Sequence, residues 1–586
     1  MKDKQLFYTA ERNVQIVIAL LKAHGIKRVI ASPGTTNMTF VGSIQNDPWF
    51  EIWSSVDERS AAYMACGMAA ETGEPVVLSC TGATASRNYM PGLTEAYYRK
   101  LPVLAITSHR GHQQIGHLRD QQIDRRNIPN DIAMESVTVP MVKDGEDERY
   151  CVVEASKAIL ALKQHGGGPA HINLYTSYNW DMSVKEIAPV NPIFRFTPFD
   201  DLPAFPKVDR VAVFVGAHQP FSDRLIKAVD NFCATHNAVV FCERMGGYSG
   251  RYASFFNVVT QQVMYPTPLK SPELCIQIVE VTTELLDIHP QNVWRVSPDG
   301  ALRDTWGTLR KVFMMPEEVF FEHYGEEGRA QTGFRDECDA EVKRFLAQIP
   351  ELPFGNIWCA QHSSSLIPAG SVFHLGILGS LRAWGYFDIS PEVEVRSNVG
   401  GYGIDGGMST MIGSALASPE QLHIGVFGDL AFFYDMNVLG NRHVGNNVRV
   451  MLINNGRGTE FRNYTHPCAM VFGKDADPYM AAAGHYGNQS PLLVKHYAED
   501  LGYEYIKAED KEEYLAQMSR FFDPAPHDRP ILFEVFTRQQ DESDALESMV
   551  TLIKDKKAEM KQKVWDGIRT VFGQSGVNAV VKMITK

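Results

Sequence analysis

Two predicted strand ends in the C-terminal third of the chain carry an acid and an amide that could hold a metal ion. Asp429 follows the apolar run 422–427, and Asn455 follows a second apolar run, 448–453. Such runs predict buried strands of a parallel sheet. Carboxylate and amide oxygens suit Mg²⁺, which proteins bind through few side chains together with phosphates of a ligand. Parallel sheets bind ligands at the carboxyl ends of their strands, and a helix that begins after Gly428 favours phosphate, so the pattern predicts a metal-bound diphosphate.

A second candidate for chemistry is the carboxylate of Glu58. It follows the predicted strand 52–56 and precedes an Ala- and Met-rich helix, 59–72. A carboxylate in that position is only partly solvated, which suits an acid–base role. An acid that complements the dipole of a helix N-terminus would give the same pattern, so the residue alone leaves both interpretations open.

The elements that would position these residues alternate between strands and helices. In the N-terminal part the predicted strands are 29–31, 52–56, 75–80 and 103–107. The same alternation resumes at 211 after a proline-rich stretch, 188–207, which predicts a linker. It starts a third time near 354. This pattern predicts an α/β protein with parallel sheets that are covered by helices on both faces.

Composition excludes several classes of function. The net charge of −13 and the absence of a basic run argue against a nucleic-acid partner. The nine cysteines include no CxxC pair, so neither a zinc site nor a disulfide framework is predicted. The N-terminus has no apolar signal core, and no stretch reaches the length of a membrane span. We therefore expect a cytoplasmic protein with no membrane partner.

The metal-site pattern resembles a known family. Gly428-Asp429-Leu430, followed after 23 residues by Asn454-Asn455, is similar to the diphosphate motif of thiamine-diphosphate enzymes. The surroundings of Glu58, residues 55–62, resemble those of the family's acid that hydrogen-bonds the aminopyrimidine ring of the cofactor. The resemblance implies an α/β fold of three doubly wound parallel-sheet domains and two cofactors, thiamine diphosphate and Mg²⁺. The implied boundaries are 1–188 for a pyrimidine-binding domain, 208–324 for a central domain, 352–540 for a diphosphate-binding domain and 541–586 for a helical tail.

The resemblance also implies roles for individual residues. The implied cofactor-binding residues are Ser32, Pro33, Gly34, Glu58, Thr81, Gly82, Gly403, Ile404, Gly428, Asp429, Leu430, Ala431 and Asn455. Asp429, Asn455 and the carbonyl of Arg457 are the implied Mg²⁺ ligands, Glu58 is the implied activating acid, and Gln121 is implied to reach cofactor or substrate. The family places the cofactor between subunits, so a homodimer or homotetramer is expected.

Within the superfamily the chain most resembles the SEPHCHC synthase family of the menaquinone pathway, which decarboxylates 2-oxoglutarate and adds the product to isochorismate. The similar stretches are 32–34, 56–59, 294–300, 397–406 and 428–437. Arg110 and Arg382 match arginines that bind substrate in that family. Three basic sites differ: Thr36 and Val399 each stand where that family has an arginine, and Thr283-Glu284 stand at a Lys-Arg pair.

These departures predict different substrates. Loss of arginines favours a donor with fewer carboxylates, so we expect pyruvate rather than 2-oxoglutarate, together with a different acceptor. Glu460 stands where the family has an apolar residue, and it is predicted to donate a proton or to bind a hydroxylated acceptor, with a surface position as the alternative. His109, His112, His117 and His466 lie in the same candidate loops, and each could transfer protons or be structural.

Carboligation of a decarboxylated 2-oxo acid with a second small molecule is the favoured activity. Four alternatives stay open at this point: a simple 2-oxo acid decarboxylase, SEPHCHC synthase activity itself, a flavin-containing acetolactate-type synthase, and a cofactor-binding assembly protein without turnover. The central region has no GxGxxG fingerprint, which argues against a dinucleotide there.

Overall fold

The computed structural model describes residues 7–263, 265–278, 280–282, 287–480 and 490–553. The chain divides into two compact units, Met1–Leu202 with Ser297–Met315, and Pro203–Val296 with Pro316–Lys586. Within the described ranges no helix combines the length and the apolar character that crossing a membrane requires. Two predicted features lie outside the described residues: the difference from the SEPHCHC synthase family at Thr283-Glu284, and residues 554–586 of the tail.

The first unit is built on a six-stranded parallel sheet in the order β2-β1-β3-β4-β6-β5. Its strands are β1 (Arg28–Ala31), β2 (Glu51–Ser54), β3 (Val76–Thr81), β4 (Val103–His109), β5 (Glu135–Val139) and β6 (Ala170–Tyr175). The unit also contains β7 (Phe194–Phe196) and β13 (Leu309–Phe313), which pair in parallel. The helices are α1 (Arg12–Ala23), α2 (Met38–Ile44), α3 (Glu58–Thr72), α4 (Thr84–Asn88), α5 (Met90–Arg99) and α6 (Gly145–Ala161). Every residue of β4 is buried, as expected for a parallel sheet that is covered on both faces.

The second unit contains two groups of parallel strands. Five strands lie in the order β10-β9-β8-β11-β12, and six more lie in the order β15-β14-β16-β17-β19-β18. The first group is β8 (Val211–Val215), β9 (Ala238–Cys242), β10 (Ala253–Ser254), β11 (Leu274–Gln277) and β12 (Val293–Val296), and the second is β14 (Val372–Leu375), β15 (Glu394–Arg396), β16 (His423–Gly428), β17 (Val448–Asn454), β18 (Glu504–Ala508) and β19 (Ile531–Phe536).

Helices cover both groups of strands in the second unit. They are α7 (Asp223–His236), α8 (Asn257–Thr260), α9 (Glu317–Tyr324), α10 (Gly333–Leu346), α11 (Asn356–Ser363), α12 (Gly379–Gly385), α13 (Gly407–Ala417), α14 (Asp429–Asp435), α15 (Pro467–Phe472), α16 (Leu493–Asp500), α17 (Lys511–Phe521) and α18 (Gln539–Val550). The predicted fold class is confirmed, because the chain forms three sheets whose strands pair in parallel and alternate with helices.

Two predicted features differ from the structure, and the domain boundaries otherwise stay predictions. The segment Ser297–Met315 belongs to the first unit, although the sequence placed it inside a central domain, 208–324. The predicted start of a tail at 541 falls inside α18, which spans Gln539–Val550. Four of its residues are buried, so the helix is packed within the second unit: Glu542, Ser543, Ala545 and Met549.

Candidate active site

The carboxyl ends of β16 and β17 bring the predicted acid and amide together. The two strands pair in parallel, with Gly428 opposite Ile453. Asp429 follows directly and is 2% exposed. Its Oδ1 accepts the N–H of Leu430 at 2.8 Å, and its Oδ2 accepts the N–H of Gly456 at 2.5 Å. The carboxylate therefore ties the end of β16 to the turn that follows β17.

The two adjacent asparagines have different surroundings. Asn454 is buried in the sheet, and its side-chain amide donates to Glu534 Oε1 at 2.7 Å. Asn455 lines a cavity together with Asp429, and its Oδ1 accepts the N–H of Arg457 at 3.3 Å. Only the second asparagine is therefore a candidate ligand.

The cavity beside these residues has a volume of about 150 Å³. Residues that the sequence assigned to cofactor, metal or substrate line this cavity: Arg382, Ile404, Gly428, Asp429, Leu430, Ala431, Asn455, Arg457 and Glu460. Gly403 lies beside Ile404 and is exposed. A Cβ atom added at Gly428 or at Gly379 would meet no atom within 4 Å, so the backbone leaves open space there.

This arrangement fits a diphosphate that is bound through a divalent cation. Asp429 supplies a carboxylate, Asn455 an amide oxygen and the turn after β17 backbone carbonyls, which are the hard oxygen donors that Mg²⁺ takes. The open space at Gly428 is where phosphate could approach the main chain closely. These residues are therefore candidates to hold the charged end of thiamine diphosphate.

Charged side chains in the cavity are paired or buried. Arg382 forms a two-point ion pair with Glu460, at 2.9 and 3.1 Å, and Arg457 Nη1 lies 3.1 Å from Asp477 Oδ2. Glu542 also lines the cavity, and its two carboxylate oxygens accept the N–H of Asn356, the first residue of α11, at 3.1 and 3.0 Å. Burial raises the pKa of Glu542 to about 7. Sequence reasoning missed Glu542, since nothing local distinguishes it from the other acids of α18.

In the first unit, the ends of β1, β3 and β4 bring several predicted residues to one edge of the sheet. Ser32 donates its N–H to Ser79 O at 2.9 Å. A Cβ atom at Gly34 would overlap the side chain of Thr81, and one at Gly82 would lie 2.7 Å from His109 Cβ. Pro33 follows Ser32 in the same turn. Here glycine is required by close packing of the protein against itself.

Glu58 is the first residue of α3. The helix begins there because the Asp57 side chain accepts the N–H groups of Arg59 and Ser60, as an N-cap. Glu58 is half-buried, and its Oε2 accepts a hydrogen bond of 3.2 Å from Asn88 Nδ2. Asn88 was not predicted, because it is 30 positions away and lies in a short helix without a motif of its own.

Buried imidazoles surround a buried arginine at the same end of the first sheet. Arg125 donates to Thr107 Oγ1 at 2.6 Å and to Asn173 Oδ1 at 2.5 Å. Burial lowers the pKa of His109 to about 3, and the charge of Arg125 adds to this shift. The pKa of His171 is also lowered to about 3 by burial and by Arg125. Neither imidazole can therefore be a charged proton donor near neutral pH.

The remaining predicted residues of the first unit lie in the polar segment after β4 or near it. Gln121 is exposed, with φ +57°, whereas Gln122 is half-buried. Arg110 Nη2 lies 3.0 Å from Asp120 Oδ1, and the guanidinium stacks over Tyr178. Thr36 is buried, near the start of α2.

The other histidines are not brought into one site. His112 lies beside His109, and burial lowers its pKa as well. His117 is exposed. In the second unit, His466 caps α15 by accepting the N–H of Cys468 at 3.1 Å, which gives it a structural role there. Val399 is buried in the second unit.

Comparison with known proteins identifies the family. Residues 12–128 match the family model described as the thiamine pyrophosphate enzyme, N-terminal TPP binding domain. The chain is 29% identical to a protein of Bacteroides fragilis named 2-succinyl-5-enolpyruvyl-6-hydroxy-3-cyclohexene-1-carboxylate synthase, over 94% of this chain and 100% of that protein. Proteins with the same name from Bacteroides thetaiotaomicron and Flavobacterium psychrophilum are 28% and 25% identical, over 95% and 89% of this chain and 100% and 95% of theirs.

The matched domain contains the candidate acid Glu58, and the full-length relatives also cover the candidate diphosphate site around Asp429. The predicted resemblance to thiamine-diphosphate enzymes is therefore confirmed. Residues 12–128 match a thiamine pyrophosphate enzyme domain, and the chain as a whole is similar to proteins named SEPHCHC synthase.

Proposed function

We propose that the protein is a thiamine-diphosphate- and Mg²⁺-dependent carboligase that decarboxylates a small 2-oxo acid, with pyruvate preferred to 2-oxoglutarate, and joins the acyl fragment to a second small molecule. When bound, thiamine diphosphate supplies the stabilisation of negative charge that decarboxylation of a 2-oxo acid requires. The protein supplies binding, orientation and proton transfer.

Within this proposal the residues of the two units have separate tasks. Asp429, Asn455 and the carbonyl of Arg457 hold Mg²⁺, with the space at Gly428 for the diphosphate. Glu58 exchanges a proton with the cofactor ring, and Asn88 orients its carboxylate through the 3.2 Å hydrogen bond. Gln121 or its half-buried neighbour Gln122 contacts the substrate.

The observation that carries the donor preference is the neutral, buried state of Thr36. Its side chain is 2% exposed, and Thr36 Oγ1 has no hydrogen-bond partner among the described residues. An oxygen of the 2-oxo acid substrate could supply that missing partner. The second carboxylate of 2-oxoglutarate would meet only the Thr36 hydroxyl, where SEPHCHC synthases have an arginine. A hydrogen bond to a charged group contributes about 1.5–3 kcal/mol, so losing one arginine weakens a dicarboxylate by roughly 10- to 100-fold.

Steady-state assays with the two donors test the proposal. We expect kcat/KM for pyruvate to exceed that for 2-oxoglutarate by at least about tenfold, and Thr36→Arg to narrow this ratio by restoring a carboxylate partner. Thr39→Val is a matched control, since Thr39, in α2, is buried like Thr36 but has its hydroxyl facing that of Thr176. Efficient turnover of 2-oxoglutarate with isochorismate by the natural sequence would contradict the proposal. Carbon dioxide release without a carbon–carbon product would instead indicate a simple decarboxylase.

We also propose a homodimer or homotetramer. Its support is the apolar exposure on two neighbouring helices of the first unit: Tyr63 is 48% exposed, Met64 40% and Tyr98 69%. A soluble monomer rarely leaves such groups uncovered in one region. Sedimentation equilibrium measures the mass directly, and Met64→Glu should shift the distribution toward the monomer. A monomeric natural sequence at micromolar concentration would refute this assembly.

A further inference from the structure

We infer that the Glu460 carboxylate occupies the position on the Arg382 guanidinium that would otherwise bind a substrate carboxylate. The acceptor subsite therefore selects against acceptors bearing a carboxylate. The inference deepens the proposed function and rests on it for the identity of the reaction. It assigns the acceptor to one chemical class, a neutral hydroxylated aldehyde or ketone.

The contact between the two side chains has the geometry of an arginine–carboxylate complex. Arg382 Nη1 donates to Glu460 Oε2 at 2.9 Å, and Nη2 donates to Oε1 at 3.1 Å. Two parallel N–H···O bonds from one guanidinium are how proteins recognise the carboxylate of a ligand. Glu460 therefore holds the position that a substrate carboxylate would take on this arginine.

A third hydrogen bond fixes the orientation of Glu460. Asn463 Nδ2 donates to Glu460 Oε2 at 3.1 Å. In all three contacts the carboxylate is the acceptor, so its two oxygens are held by Arg382 and Asn463. In this arrangement Glu460 is a positioning residue that shapes the subsite, rather than the proton donor that the sequence allowed as one alternative.

The charges around the pair oppose a second anion. Arg457, the other arginine that lines the cavity, pairs with Asp477, which also binds Arg462. Among the described residues that line the cavity, a bound carboxylate would therefore find both guanidinium groups already paired with an acid. It would also meet the charge of Glu460 in a partly buried site, where such repulsion is only weakly screened.

A neutral hydroxyl group of an acceptor would not be repelled by Glu460. Arg382 and Glu460 keep about a quarter of their side-chain surface exposed, 25% and 27%. Glu460 Oε1 accepts one of these hydrogen bonds, so it has lone-pair capacity left for a ligand O–H. The subsite can thus bind a hydroxyl donor without breaking the ion pair, which is why the acceptor is assigned to neutral hydroxylated carbonyl compounds.

The first experiment compares butanal with 4-oxobutanoate, two acceptors that differ in a methyl and a carboxylate at the far end. With pyruvate as donor, the natural sequence should favour butanal by at least about 30-fold in kcat/KM, and Glu460→Gln should lower this ratio at least about tenfold through a smaller KM for 4-oxobutanoate. Glu460→Asp keeps the charge and should retain most of the selectivity.

The second experiment does not depend on turnover. Succinate binding is measured by calorimetry on the purified enzyme, which should bind it weakly. Glu460→Gln should bind succinate at least about tenfold more tightly, and adding Arg382→Gln to that variant should abolish the gain. Equal succinate affinity of natural and Glu460→Gln enzyme, with a circular dichroism spectrum that shows the variant folded, would overturn the inference. Failure of pyruvate turnover would refute the proposed function while leaving this binding test valid.

Discussion

The two six-stranded sheets, one in each unit, are the same scaffold with different chemistry at the ends of the strands. The first has the order β2-β1-β3-β4-β6-β5 and the second β15-β14-β16-β17-β19-β18. Counted from the first strand of each sheet, both orders are two-one-three-four-six-five. The third strand ends at Thr81-Gly82 in one sheet and at Gly428-Asp429 in the other.

The difference between the strand ends lies in how much space they leave. A Cβ atom at Gly82 would lie 2.7 Å from His109 Cβ, because the first sheet packs its own loops over this edge. A Cβ atom at Gly428 would meet nothing within 4 Å. Glycine thus serves close internal packing in one sheet and leaves open space in the other, although the sequence shows a strand followed by glycine in both.

The buried charges of the two edges also have opposite sign. The first sheet holds Arg125 among neutral partners, and burial keeps the pKa of His109 and His171 low. The second holds Asp429 and Glu542, of which Glu542 has a raised pKa. A cationic edge suits proton transfer to and from an anionic or neutral ligand, while an acidic edge needs a metal ion before it can accept a diphosphate.

Replacing Glu58 with glutamine should give the largest effect, because it separates proton transfer at the first sheet from cofactor binding at the second. Glu58→Gln keeps the size and the hydrogen bond to Asn88 but removes proton transfer, so we expect kcat to fall by about 10³-fold. Thiamine diphosphate affinity, measured by calorimetry with Mg²⁺ present, should change less than about threefold, because the second sheet binds the charged end. Arg59→Gln, next to it and exposed, serves as the control. A variant that keeps its turnover would remove Glu58 from catalysis.

Asp429→Asn is the complementary change in the second sheet. It removes the charge that the Mg²⁺ site requires, so the dissociation constant of thiamine diphosphate should rise by about 10- to 100-fold. The affinity that remains should no longer respond to EDTA. Asn454→Asp changes the neighbouring buried position, which faces Glu534, and should impair folding rather than metal dependence. If Asp429→Asn binds the cofactor as tightly as the natural sequence, the acid is not the metal ligand.

How well the sequence predicted a strand depends on whether the buried residues of that strand are apolar or polar. Strands β3 and β17 begin and end within one residue of the predicted runs 75–80 and 448–453. Strand β6 was missed although it lies inside the first sheet, between β4 and β5. Its His171 and Asn173 are polar but buried, because Thr107, Ser136 and Arg125 supply their hydrogen bonds. Those partners are far away in sequence, so hydropathy alone cannot reveal such a strand.

The candidate site likewise contains local motifs, which the sequence predicted, and pairs of distant residues, which it did not. Gly428, Asp429 and Asn455 belong to local strand-end motifs, and the structure brings them together as predicted. Contacts between distant segments were not predictable: Arg382 and Glu460 are 78 positions apart, and each has a plausible separate explanation in the sequence. The sequence indicated which residue types carry chemistry, whereas their pairing required the fold.

A pH titration of stability sharpens the contrast in charge. The pKa of His171 is about 3 in the folded protein and 6.5 in a free histidine, so the unfolded chain takes up the proton first as the pH falls. Stability should therefore decrease from pH 6.5 downward, by about 2 kcal/mol from this histidine at pH 5, and the loss should continue until about pH 3. His171→Gln should flatten the slope of the unfolding free energy against pH, with the free energy measured by urea denaturation. An unchanged slope in His171→Gln would mean that the imidazole is already solvated in the folded state.

The smallest effect concerns glycines in the helices that cover the two sheets. A Cβ atom at Gly92 in α5 would lie 2.5 Å from Ala62 Cβ in α3, so Gly92→Ala should destabilise the protein by about 1–3 kcal/mol through overpacking. Gly413 in α13 is exposed, and a Cβ atom there would meet nothing within 4 Å. Gly413→Ala should therefore stabilise the protein by about 0.5–1 kcal/mol, because alanine loses less backbone entropy in a helix. Urea denaturation measures both changes. A loss of stability in Gly413→Ala would indicate that this helix face packs against a partner subunit, and equal effects at the two sites would show that close helix packing is not what distinguishes the first sheet.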